Sequence, residues 1–532
     1  MTIPIQNAVE AELERTALDV PEEPFVQASR LIERPAARFA LTFVANVTRA
    51  GLSFVTGILV ARALGAAFYG NLNFLLGSFA AVTTLLDAGS TSAFYTLLSS
   101  RRRPPVFFVL YFSWTFGVQF LLSAAVIAFI LPRAVVGELW LGHDRGVVLL
   151  SFAASFVVSQ TWNAVAQMGE AARKTATVQA ASVCQAIVHL VLIVAAIRLG
   201  RLSVPTVLTL VIVEYLLSTL LLAPRMLAHN LDRAGNESIG EVFGQFVTYC
   251  RPIVVYCFVM FGYQFADRWF LQRFGGSVQQ GFFAVGQQFS MITLMAATSI
   301  VSVFWKEIAE AQARGDHEKV SRIYHSVRRF LYFGASVVSC ALIPYSREIL
   351  HWTVGGDYEA GALALALMFL YPIHQTLGYV QGTFYLAVGD TRRYTLIGIL
   401  MMAVSIPLAY VVVAPRNAVV PGLALGAVGI ALKMVVLQLV AIVAQMLMLR
   451  RSHGFETNFF FQGSVVFVLL TLAFLLKLGA TAILANVMVA ASVATLVYVL
   501  FVAGVMWRWP GLSGIGPERL AAVRSYLRRG TS

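Results

Sequence analysis

Residues 39–61 read FALTFVANVTRAGLSFVTGILVA, and residues 68–98 read FYGNLNFLLGSFAAVTTLLDAGSTSAFYTLL. Only the short segment Arg62-Ala-Leu-Gly65-Ala-Ala67 separates them. A helix needs about 20 apolar residues to cross a hydrocarbon core of roughly 30 Å. Each run meets that length, so the pair predicts a membrane hairpin turning at Gly65.

The same reading extends along the chain. Further apolar runs lie at 105–131, 146–167, 177–197, 203–223, 246–271, 279–304, 329–346, 360–388, 394–414, 421–449, 459–477 and 480–506, which makes fourteen expected spans. Composition agrees: of 532 residues, 58% are hydrophobic and 12% charged. Soluble domains carry about twice that share of charge, so a soluble enzyme, a disordered chain and a coiled coil are excluded. The four cysteines (Cys184, Cys250, Cys257, Cys340) sit in apolar runs without metal-ligand spacing and read as packing residues.

The net charge of +13 would suggest nucleic acid in a soluble protein. Here its position along the chain decides. With the N-terminus inside, the inner segments carry 25 Lys and Arg, among them Arg101–Arg103, Arg173, Lys174, Arg392, Arg393, Arg450 and Arg451. The outer loops carry nine, including Arg62, Arg133, Arg145, Arg273 and Arg347. That bias is the positive-inside pattern. It predicts both termini in the cytoplasm and removes nucleic acid as a partner.

Two echoes suggest an internal repeat. Arg62, Gly65 and Gly70 match Arg273, Gly276 and Gly281, each 211 residues later. Gly169-Glu-Ala-Ala-Arg173-Lys-Thr175 matches Gly389-Asp-Thr-Arg-Arg393-Tyr-Thr395, at offset 220. The expected fold class is therefore an all-α polytopic membrane protein of 14 transmembrane helices. Two six-helix lobes, 38–224 and 246–450, are related by a parallel pseudo-two-fold, and two C-terminal helices lie in 451–507. A repeat of this kind implies a central site and alternating access. Residues 1–37 read as a flexible cytoplasmic tail, 225–245 as a cytoplasmic linker and 508–532 as a basic cytoplasmic tail near anionic lipid heads. Trp305–Arg328 reads as an amphipathic helix on the cytoplasmic face.

The chain resembles a known family at four places in order. They are Asn46-Val-Thr-Arg49-Ala-Gly51 through Arg62-Ala-Leu-Gly65 to Asp87-Ala-Gly89; Asp267-Arg268-Trp-Phe-Leu with Gly281-Phe-Phe-Ala; Gly355-Gly-Asp357-Tyr358; and Ala387-Val-Gly-Asp390-Thr. Over roughly residues 38–450 it resembles the Wzx-like polysaccharide flippases of the multidrug/oligosaccharidyl-lipid/polysaccharide (MOP) superfamily, which also holds lipid II flippases and MATE exporters. The resemblance implies a V-shaped transporter of the bacterial inner membrane. Its cargo would be undecaprenyl-diphosphate-linked oligosaccharide, moved to the outer leaflet for surface polysaccharide synthesis. Membrane lipids and polysaccharide polymerase or export proteins are the implied partners, and the protein is expected as a monomer.

Polar groups at membrane depth are costly without a task or a partner, so they nominate the site. Asn46, Arg49 and Ser53 form one helical stripe, and an Arg fork suits a diphosphate. The competing reading is a packing ion pair of Arg49 with Asp87 or Glu214. Gln160, Asn163 and Gln167 form a second stripe, with His374 and Gln375 on the matching later helix. Amides suit sugar hydroxyls but also bind helices together. Gln264, Arg268 and Lys433 complete the expected substrate cavity. Asp87, Asp267, Arg62 and Arg273 are expected as gate or ion-pair residues, the two arginines being equally suited to snorkelling at the interface. Glu214 is the candidate for coupling to H+ or Na+, and His189 reads as a packed histidine. No cofactor, metal site or catalytic residue is expected. Two other functions compete: a MATE-like cation exporter, which wants an acid such as Glu214, and a membrane polymerase, which wants long or acidic outer loops that are missing here.

Overall fold

The computed structural model describes residues 35–514. Most of the expected N-terminal tail and most of the basic C-terminal tail lie outside the described residues. No strand occurs among the described residues, so the chain is all-helical. The helices are α1 (Pro35–Asp87), α2 (Ser90–Ser100), α3 (Pro105–Ile130), α4 (Arg145–Ala171), α5 (Thr175–Arg198), α6 (Val204–Asn230), α7 (Ile239–Cys250), α8 (Val254–Phe270), α9 (Gly276–Ala313), α10 (His317–Leu342), α11 (Ala362–Ala387), α12 (Thr391–Val413), α13 (Gly426–His453), α14 (Phe459–Ile483) and α15 (Val487–Arg508). Shorter turns of helix join several of them.

Eleven described helices are long and apolar enough to cross a membrane, or twelve if the bent pair Ile239–Cys250 and Val254–Leu294 is one span. The expected count of fourteen is not established by this measure. The difference lies in the two matched hairpins, where two expected spans share one continuous helical run. Within α1, Gly65 leaves helical geometry at φ 75°, ψ 167°. Gly276, its repeat partner, adopts φ 81°, ψ 174°. Both dihedral pairs lie in a region that only glycine occupies at low cost, so the first echo corresponds to one repeated turn.

The second echo is one helical turn out of register. Helices α4 and α11 end at Ala171 and Ala387, and α5 and α12 begin at Thr175 and Thr391, each 216 residues apart. The positive-φ residues of these turns, Arg173 at 59° and Gly389 at 81°, share that offset. The sequence match at 220 therefore paired residues that do not correspond. Glycine and arginine are favoured at many helix ends, which makes short matches slip easily.

Other expectations change as well. The segment 305–328 is not a separate surface helix: α9 runs on to Ala313, and α10 starts at His317 with Asp316 accepting from the Lys319 N–H at 2.9 Å. The expected linker 225–245 contains the end of α6 and the start of α7. Helix α7 opens with a capping box, Ser238 and Glu241 bonding reciprocally. Pro252 follows it, and the chain bends by 56° into α8. Of the cysteines, Cys257 and Cys340 are buried, whereas Cys184 is exposed.

Candidate functional site: a sealed end and a cavity facing the other

The two halves meet firmly at the end of the bundle that holds Gly65 and Gly276. There Val60, Ala61, Tyr69 and Leu72 of α1 share one buried core with Leu271, Phe282 and Phe283 beside them and Met368 and Phe369 of α11. Polar contacts reinforce it. Tyr69 Oη donates to Gln288 Oε1 at 2.8 Å, Gln288 Nε2 to the Phe54 carbonyl at 2.9 Å, and Gln272 Nε2 to Asn71 Oδ1 at 2.8 Å. Tyr358 Oη donates to the Ala61 carbonyl at 3.0 Å.

The closest approach is reciprocal. A Cβ added to Gly70 would stand 1.8 Å from the Ser277 carbonyl oxygen, and one added to Gly281 would stand 2.2 Å from that of Ala66. Gly70 and Gly281 are repeat partners at offset 211, and so are Ala66 and Ser277. Each half therefore presents the same glycine to the same backbone position of the other, as two-fold related surfaces do.

At the opposite, arginine-rich end the halves keep separate cores. One gathers Phe94, Phe107 and Trp162; the other gathers Tyr324, Phe384 and Phe455. From this end a cavity of about 570 Å³ runs in between α8, α11, α12 and α13. Pro252 and Ile253 at its mouth also line a neighbouring groove of about 920 Å³ with Leu97 and Thr248. Deepest in the cavity stands Lys433, some seven residues into α13, or roughly 10 Å from the sealed end by helix rise. Its side chain is fully buried and its Nζ binds Asp267 Oδ1 of α8.

Several expected roles change at this point. Lys433 lines this cavity as half of an ion pair. Asp267, expected as a gate or ion-pair residue, is its partner. Arg268 is not among the cavity-lining residues; its Nη1 donates to the Asn73 carbonyl at 3.2 Å, and its guanidinium lies over Gly77, where a Cβ would come within 2.2 Å of Cζ. It therefore bridges α8 to the second half of α1. Neighbours along a helix point about 100° apart, which is why Asp267 and Arg268 part company. For the same reason Tyr263 and Gln375 line the cavity while the adjacent Gln264 and His374 do not.

In the first half, Asp87 makes no ion pair among the described residues. Its carboxylate accepts from Ser90 Oγ at 2.8 Å and from the Thr91 N–H at 2.9 Å, capping α2 across the left-handed break at Ala88 and Gly89. Gln160 is buried and accepts from Thr91 Oγ1 at 3.0 Å, inside a widened π-helical stretch of α4; Asn163 is half-buried. Glu214 and His189 pair across α5 and α6 at 2.9 Å, with Glu214 buried. The alternative partners for Arg49 are thereby occupied. Arg49 and Ser53 are exposed and Asn46 is half-buried, and none of the three lines the cavity described above. Arg49 lies within electrostatic reach of Tyr215. Arg62 and Arg273 are exposed; Arg62 Nη1 donates to the Trp352 carbonyl at 3.4 Å, which suits an interfacial residue. Among the described residues no group of three or more His, Cys, Asp or Glu is placed to hold a metal.

Sequence reasoning passed over the tyrosines of the cavity, Tyr256, Tyr263, Tyr371, Tyr379 and Tyr394. They lie in apolar runs and count as apolar there. A usable signal existed: Tyr256 and Tyr263 are seven apart, and Tyr371, Gln375 and Tyr379 recur at four, each set marking one helix face.

A cavity reaches in from one end while the two halves close the other, and solved structures of transporters share this fold. A lipid II flippase MurJ in an inward closed conformation superposes with a TM-score of 0.69, at 14% identity, over 88% of this chain and 99% of its own. A MOP superfamily transporter from Pyrococcus furiosus gives 0.53 at 12% identity, over 78% and 94%. An inward-facing multidrug resistance MATE family transporter of the same superfamily gives 0.54 at 13% identity, over 77% and 95%. No protein-family model matches the sequence, and no curated protein matches it. The chain is a multi-pass membrane protein with the fold of the MOP transporters.

Proposed function

We propose that this protein is a flippase for undecaprenyl-diphosphate-linked oligosaccharide, working by alternating access in the bacterial cytoplasmic membrane, as the Wzx-like resemblance implies. The observation that carries the reading is the cavity itself: it is polar enough for a glycan, opens towards the arginine-rich end, and is closed at the other by matched glycines. In this reading the arginine-rich end is cytoplasmic and both termini lie there. Arg49, exposed and without an ion pair among the described residues, is the cation that receives the diphosphate. The polyprenyl tail stays in lipid, and polymerase or export proteins take the product on the far side.

The test is translocation in proteoliposomes of a polyprenyl-diphosphate-linked sugar, read as loss of access to a membrane-impermeant reagent. Wild-type protein should equilibrate the lipid between leaflets, and Arg49→Glu should slow it by about tenfold or more, since one charge-assisted contact contributes roughly 1.5–3 kcal/mol. Full activity of Arg49→Glu would remove that residue from the path. No translocation by the wild type would end the flippase reading.

One observation favours a second function. Buried Glu214, paired with half-buried His189, is the kind of first-half acid that a cation-coupled small-molecule exporter needs, and in a flippase the same pair is the candidate for coupling to H+ or Na+. Glu214→Gln should uncouple transport from an imposed ion gradient while leaving slow equilibration. Efflux of organic cations by the wild type, without lipid translocation, would favour the exporter.

A further inference from the structure

We infer that the cavity of the second half is a saccharide subsite, built for one or two neutral sugar rings and separate from the place where the diphosphate is held. The inference rests on the flippase reading and assigns one part of the cargo to one set of residues.

Charge argues first. Among the described residues Lys433 is the cavity's only charged lining residue, and Asp267 already neutralises it. A diphosphate carries at least two negative charges and would meet no free cation here, so the anionic part of the cargo belongs elsewhere. A neutral ring with many hydroxyls has no such conflict.

Lining chemistry argues second. Tyr256 and Tyr263 on α8, Tyr371 and Tyr379 on α11 and Tyr394 on α12 border one space. Aromatic faces pack against the C–H faces of sugar rings, and the phenol O–H serves as donor or acceptor at the rim. Gln375, Gln438 and Gln445 add amides, which donate and accept together as a hydroxyl does. Met260, Met401, Met402 and Met434 supply adaptable apolar wall, able to fit rings of differing shape.

Unsatisfied groups argue third. Gln445 is 7% exposed and Ser405 1% exposed; both line the cavity, yet Gln445 Oε1 and Ser405 Oγ have no hydrogen-bond partner among the described residues. A buried polar atom left unpaired costs roughly 1–3 kcal/mol, so two on residues that line the same cavity call for a polar occupant. A cavity of about 570 Å³ lies within the range usual for small-molecule sites and accommodates rings, not a polyprenyl chain.

The experiment uses the full-length protein in detergent and compares binding of a short-chain polyprenyl diphosphate with the same lipid carrying glucose, galactose or N-acetylglucosamine. At least one glycosylated lipid should bind about tenfold tighter than the bare lipid, the gain expected from a few neutral hydrogen bonds and one stacked ring. Gln438→Leu and Tyr379→Ala should erase that increment while binding the bare lipid as the wild type does. Equal affinity of the wild type for glycosylated and bare lipids, or an increment that survives both substitutions, overturns the subsite. Translocation that persists in that case leaves the flippase reading standing. An increment without translocation has the opposite meaning, keeping the subsite and sinking the flippase.

Discussion

Gly281→Leu is expected to abolish transport, and Gly70→Leu to do the same. At each position the first added carbon already meets a backbone carbonyl of the other half, at 2.2 Å and 1.8 Å respectively. A backbone oxygen cannot rotate aside as a side chain can, so the halves must separate at this end to admit a leucine. Overpacking a close-packed contact costs about 1–3 kcal/mol even where neighbours can yield. A tilt of that size shifts a two-state equilibrium by roughly tenfold to a hundredfold towards the state in which this end is open. Because the contact is reciprocal, the two substitutions should have similar effects.

A labelling experiment reads the shift directly. With the four native cysteines replaced, a single cysteine at Asn71 should be shielded in the otherwise unaltered protein by Gln272 and the packed hairpins. In the Gly281→Leu background it should react at least tenfold faster with a membrane-impermeant maleimide. Unchanged labelling together with retained transport would show that this contact is not the closure.

The second large effect concerns the buried pair. Asp267→Ala leaves the Lys433 ammonium buried without its carboxylate, and Lys433→Met leaves the carboxylate without its ammonium. Removing one partner of a buried pair destabilises by about 3–5 kcal/mol, whereas replacing both by apolar groups of similar volume is often neutral. Each single variant should therefore lose most of its folded yield or unfold at markedly lower temperature in detergent. The double variant Asp267→Leu/Lys433→Met should regain most of the loss. Single variants as stable as the wild type would mean that the pair ties α8 to α13 only weakly.

These two cases mark the boundary between pattern and packing. The hairpin glycines were legible because a repeat at offset 211 falls on residues whose backbone geometry glycine alone accepts cheaply. That the next glycine of the same repeat forms a reciprocal contact was not legible, since it depends on how two distant hairpins cross. Asp267 and Lys433 were both visible as charges at membrane depth, but 166 positions separate them and nothing local joins them. Glu214 and His189 likewise meet only because α5 and α6 lie side by side. The tyrosines of the cavity were hidden by their amphipathic nature: hydropathy counts the ring, and only a cavity shows what the hydroxyl is for.

The sequence by itself determined that the chain lives in a membrane, where its apolar runs lie, which loops carry the basic charge, and where two hairpins turn. Those properties follow from a local balance between apolar length and bilayer thickness, or from the dihedral freedom of one residue. The tertiary structure decided which buried charges pair, which end is shut, and which helix faces enclose the cavity. Those depend on the rotation of each helix about its axis, and a shift of one residue there, about 100°, turns a lining residue into a packing one.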